Sequence, residues 1–156
     1  MAIGSNFRHI RGEGNNVWMP SGSAIFVSDL LVQTIAREAV PADDVVWDTD
    51  AQTTQRNAAA AFLGAANDQI ATAQIGDDVS ICVEGVHEYP QDDPSTASDA
   101  TVGDWVTFAV NDDGDGLEPQ KVAPTTDEAS AIGKYVKISD GTTATIRLFG
   151  STAQLA

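Results

Sequence analysis

The sequence predicts a mainly β fold: a small β-barrel or sandwich with one short helix around residues 53–63 and an extended N-terminal arm. Three observations predict it. Short runs rich in Val, Ile, Thr and aromatic residues recur with turn signals between them, as in small all-β folds. Only one stretch, "TTQRNAAAAFLG", has the composition of a helix. The C-terminal runs "AIGKYVKI" and "TATIRLFG" flank "SDGT", and an Asp-Gly between alternating apolar runs is a strong hairpin signal.

The elements follow in order. A chain of 156 residues fits one domain and buries a core without staples. Residues 1–20 show no sustained period and carry Gly4, Gly12, Gly14, Asn15, Asn16 and Pro20, so they cannot offset their own ordering entropy. They nevertheless hold Phe7, Ile10, Val17 and Trp18, which a solvated tail does not need. Two readings stay open: a tail folded back on its own domain, or an arm that orders on a partner. The division expected is an arm, 1–20, and a β-rich domain, 21–156.

"SAIFVSDLLVQTI" alternates loosely and reads as one or two short strands around Ser28-Asp29. "AVPADDVVWDTDAQ" is a loop with an apolar insert, Val45 to Trp47. The helix is capped by Thr53 or Thr54, filled by alanines and stopped by Gly64. "DDVSICVEGVHEYP" alternates over Val79, Ile81 and Val83, with Gly85 marking a bulge or bend. "QDDPSTASDATVGD" is a polar loop, "WVTFAV" a strand opened by a core Trp105, and "QKVAP" a short edge closed by Pro124.

Charge is the strongest global signal, with 23 acids against 8 bases and a net charge of −15. That balance disfavours binding to nucleic acid or to an anionic membrane. Arg8 and Arg11 precede the first acid, Glu13, whereas from Pro41 to Glu118 the only base is Arg56. A basic arm thus leads into an acidic body. Asp outnumbers Glu by 17 to 6, a surface suited to a source of high ionic strength. No apolar stretch has the length of a signal-peptide core or a membrane span, so a soluble protein is expected. The lone cysteine, Cys82, excludes an intramolecular disulfide and any multi-cysteine zinc site, and its alternating apolar setting reads as a buried thiol.

"NDDGDG" places Asn111, Asp113 and Asp115 where an EF-hand loop has its first ligands, with Gly116 at the turn. Position twelve of that loop is Val122 rather than a bidentate Glu, and its flanks are a strand and Pro119. An acidic hairpin loop is the expectation, and Asn111, Asp113 and Asp115 remain only a weak, non-helical cation site. His87, between Glu84 and Glu88, raises an acid–base or metal reading, but alternation sends neighbours on a strand to opposite faces. No residue makes a convincing catalyst; no enzyme activity, cofactor or resident metal is expected. Trp18 and Trp47 lie in irregular polar settings, where a large apolar side chain serves either an interface or the core.

The order of segments carries further information. "SDLLV…AVPADDVVWDTDAQTTQRNAAAAFLGAANDQI" holds a strand, a loop with a Trp, and an alanine-rich segment ending in Phe62, Leu63, Gly64 and Asp68. A strand from Val79 to Glu88 follows, then a "VGD-V" turn at Val102 to Val106. The chain closes on Leu117, Gln120, Lys121 and Val122, then on Ala131, Ile132 and Gly133, and last on "TIRLF". This ordered set resembles the capsid cement, or head-decoration, proteins of tailed double-stranded DNA viruses. The resemblance implies a mainly β structural protein on the outer surface of the virion, with the major capsid protein as partner and a trimeric homo-oligomer favoured. The contact residues expected are Phe7, Arg8, Ile10, Arg11, Trp18 and Trp47, the arm meeting an acidic shell surface. The alternative from another class is a calcium- or glycan-binding β module displayed on a surface.

Overall fold

The structure is a computed structural model that describes residues 8–11, 16–91, 101–138 and 143–149. The fold is mainly β with one helix. Its strands are β1 (Arg8–Arg11), β2 (Asn16–Pro20), β3 (Leu30–Gln33), β4 (Ala39–Pro41), β5 (Phe62–Ala66), β6 (Asp78–Cys82), β7 (Glu84–Pro90), β8 (Trp105–Val110), β9 (Leu117–Thr125), β10 (Gly133–Ile138) and β11 (Thr143–Phe149). Helix α1 (Ala51–Ala60) stands between β4 and β5.

Two antiparallel sheets form. The first has the order β1-β7-β11-β10-β8-β9, the second β2-β6-β5-β3-β4. In the first, a lone bridge between Gln91 and Val122 brings the end of β7 against β9, so the sheet curls. In the second, a bridge from Ser21 to Ala39 brings the end of β2 to the start of β4. β6 and β7 are one continuous ribbon broken only at Val83, and each half belongs to a different sheet. The expected break at Gly85 therefore falls two residues earlier, and Gly85 itself pairs with Leu148.

Alternation divides the buried residues between two cores. Leu30, Val32, Phe62 and Ala65 of the second sheet meet Tyr89, Val106, Phe108, Tyr135, Ile146 and Leu148 of the first. Phe62 and Phe108 touch edge to face, with ring centroids 5.7 Å apart. Leu31, Leu63, Val79 and Ile81 point the other way, into a smaller core closed by Met19, Ile25 and Ile70. Each fully buried Leu, Ile or Phe contributes roughly 1.5–3 kcal/mol, so the second sheet draws stability from both faces.

The helix begins earlier than the alanine run suggests. The Asp50 side chain accepts a hydrogen bond from Thr53 N at 2.7 Å and takes the capping role expected of Thr53 or Thr54. Thr54 is buried, and its Oγ1 donates to Asp50 O at 2.8 Å. The helix ends at Ala60, because Phe62–Ala66 finds strand partners in β3 and β6. Gly64 is thus not a helix stop but a strand residue at φ 144°, and a Cβ there would lie 2.1 Å from Cys82 O. Pro124 likewise does not close a short edge: β9 runs nine residues, and Pro124 pairs with Val106.

The N-terminal segment is docked on the body. β1 pairs with β7 and β2 with β6, both antiparallel, so residues 8–11 and 16–20 lie along the continuous 78–88 ribbon and span both sheets. Met19 is 7% exposed and belongs to the smaller core, so the fold reaches back past residue 21. The turn between β10 and β11, with its Asp-Gly, lies outside the described residues. The hairpin itself forms as the alternation predicts.

Candidate functional site

The contact residues expected from sequence fall in three places. Phe7 lies outside the described residues. Arg8, Ile10 and Arg11 are in β1, where Arg8 registers with Glu88 and Arg11 with Val86, and Ile10 falls at the irregularity between them. Trp18 is opposite Ser80 on β2 and is 65% exposed, while its neighbour Met19 points into the core. A strand that buries Met19 must turn Trp18 outward. Around Trp18 the outer surface is polar: Asn67 Nδ2 donates to Asn16 Oδ1 and to Ser80 Oγ, each at 3.1 Å. Trp47 is half-buried in the connection from the 3-10 turn Ala42–Asp44 to α1, beside an exposed Val46. No ring contact joins Trp47 to Trp18; Trp18 is on the edge strand β2, and Trp47 lies outside the strands.

Trp105 departs from expectation. It is half-buried on the outer face of the first sheet rather than in the core, because its neighbour Val106 takes the inward position. The Phe149 ring meets it edge on at 6.4 Å, and Lys134 Nζ lies 4.3 Å from its ring centroid. Composition alone does not single out Phe149, Lys134 or Arg147. The hairpin register does, since it sets Lys134 beside both Trp105 and Arg147.

The acidic loop is the turn of the β8–β9 hairpin. Asn111 Nδ2 donates to Asp115 Oδ1 at 3.0 Å, and Asn111 Oδ1 accepts from Asp115 N at 3.1 Å. The Asn111 amide oxygen is thereby committed to shaping the turn, while Asp113 stands exposed in solvent. Among the described residues no group of three or more His, Cys, Asp or Glu side chains is arranged to hold a metal ion. His87 is buried beside the Tyr89 ring and registers with Ile146. Glu84 and Glu88 register with Phe149 and Thr145, on the other face. The three residues do not converge.

A buried polar joint lies where sequence reading looked only for strands. Asp29 is 2% exposed; its Oδ2 accepts from Phe26 N at 2.9 Å and its Oδ1 from Gln120 Nε2 at 2.8 Å. Tyr89 Oη donates to Ser28 O at 2.6 Å, and Ser28 holds φ 72°. These bonds tie the loop before β3 to β7 and β9, and hence one sheet to the other. Burial lifts the Asp29 carboxyl from its ordinary 3.8 to about 6, against the lowering effect of its two hydrogen bonds. Burial, reinforced by Asp29, also pushes the Tyr89 hydroxyl well above its ordinary value. Cys82 is fully buried, and desolvation followed by the nearby Glu84 raises its thiol, which suits an inert packing role.

Asp29 and Gln120 stand in two of the sequence segments that carry the viral resemblance, as do Gly64 and Gly133. A Cβ on Gly133 would lie 2.3 Å from Arg147 O. These motif residues are joints of the fold. No protein-family model matches the chain, and no curated protein matches it in sequence.

Proposed function

We propose that this chain is a structural protein of a viral particle, binding the outer surface of a mature capsid and bracing contacts between capsomers. The observation that carries the reading is Trp18, a large aromatic side chain 65% exposed on a sheet edge that its own fold leaves uncovered. Such a residue gains most when a partner desolvates it, and tryptophan is the residue most often found dominating an interface. The ordered motifs from Ser28 to Phe149 supply the capsid as the partner. The docked N-terminal segment supports the same reading, because it presents Arg8 and Arg11 on a strand along the body. Assembly as a homo-oligomer, with a trimer favoured, would let several weak contacts act together on the shell.

The test is binding to particles of the source that lack this chain. The native protein should bind saturably. Trp18→Ala should bind about 2 kcal/mol more weakly, roughly thirtyfold. Its melting temperature should stay unchanged, because an exposed side chain contributes little to the fold. Failure of the native protein to bind would end the reading.

A further inference from the structure

Six of the eight bases, Arg8, Arg11, Lys121, Lys134, Lys137 and Arg147, lie on strands of the first sheet. Those strands carry only three acids, Glu84, Glu88 and Glu118, in a chain with a net charge of −15. Within this sheet β10 and β11 set Lys134 directly opposite Arg147. Like charges directly opposite on adjacent strands oppose sheet formation. Among the described residues neither cation makes an ion pair, whereas Arg56 pairs with Asp127. Lys134 instead lies over the Trp105 ring, which meets Phe149 edge on. Phe149 is 41% and Val136 43% exposed, and Lys137, registered with Thr145, extends the same face.

We propose that the outer face of β8, β10 and β11 is a docking face for a carboxylate-bearing protein surface. Trp105 and Phe149 form the apolar anchor, and Lys134 and Arg147 form a paired cationic seat for the partner's acids. The charge pattern favours this occupant. An unneutralised cation pair wants carboxylates, and cations beside aromatic rings are frequent centres of protein interfaces. Nucleic acid fits less well, because its continuous line of phosphates would run past Glu84, Glu88 and the acidic body, whereas a protein surface can place single carboxylates at the two cations. This inference rests on the proposed function only in taking the capsid shell as that partner.

Two measurements decide it. In the first, a random Glu–Tyr copolymer is titrated into the intact isotope-labelled protein at about 0.15 M salt, where charges more than about 8 Å apart are largely screened. Amide and indole signals of Trp105, Lys134, Val136, Arg147 and Phe149 should shift together. No shift, shifts confined to other faces, or equal shifts with single-stranded DNA overturn the proposal. In the second, Lys134→Glu is compared with the native chain for binding to shells lacking this protein. The substitution replaces a like-charge pair by an ion pair, so the melting temperature should hold or rise while binding falls at least tenfold. Native-level binding by Lys134→Glu overturns the proposal and leaves the shell reading intact. If the native protein does not bind shells, the shell reading falls and the titration alone decides the face.

Discussion

At the residue scale the most consequential side chain is Asp29. A carboxyl whose folded value is raised binds its proton more tightly in the folded protein than in the unfolded chain. Its contribution therefore favours folding at acid pH and is lost as pH rises through the window from 3.8 to about 6, above which it is constant. The size is about 3 kcal/mol by linkage, as an order of magnitude. Asp29→Asn can accept from Phe26 N and, with the Gln120 amide turned over, donate to that side chain. The asparagine variant should be more stable than the native protein at pH 7, and the difference should shrink toward pH 4. Urea denaturation across that range measures it, and a variant less stable at pH 7 would show that the charge, not the hydrogen bonds, holds the joint. The signal for this residue was present in "FVSDLLV", an acid placed between two apolar runs. Its partner Gln120 lies 91 positions away, and no local pattern connects the two.

At the scale of elements, legibility tracks local alternation. β11 alternates cleanly, and β6, β7, β8 and β10 are short apolar runs bounded by turn signals; all can be read from the sequence. β5 cannot, because "FLGAA" is buried on both faces, and a short apolar run has no period to separate strand from helix. β2 is hidden for another reason. Its composition is that of a loop, and it becomes a strand only because β6 offers an edge to pair with. This pairing alters what truncation should do. Removing residues 1–15 takes away β1 and should leave the domain folded with a small loss of stability. Removing residues 1–20 also takes away Met19 from the smaller core and uncovers the edge of β6. That deletion should cost at least about 2 kcal/mol, the lower range for loss of a buried Met side chain. Equal stability of the two truncated chains would contradict the core role of β2. The candidate contact surface is less legible than the fold, since Trp18 reads as an ambiguous aromatic and Trp105 as a core residue until the strand register turns each outward.

For the whole molecule, the distribution of charge matters more than its total. The acids lie mainly outside the first sheet, whose strands carry most of the bases and whose outer face holds two aromatic rings packed edge to face. On the proposed reading, the cationic, aromatic face is the part of each copy that adheres to an acidic support. The buried joint at Asp29 ties one sheet to the other, and the close approaches at Gly64 and Gly133 fix neighbouring strands within each sheet, so the exposed aromatic residues are presented on rigid strands. Rigid presentation lowers the ordering cost of binding. The central claim, that this is a protein of the capsid surface, is tested most directly by its copy number relative to the major shell protein in purified particles of its source. A ratio near one, or a fixed simple fraction of it, is the result expected of a protein that covers the lattice. A handful of copies per particle, or none, would contradict the claim.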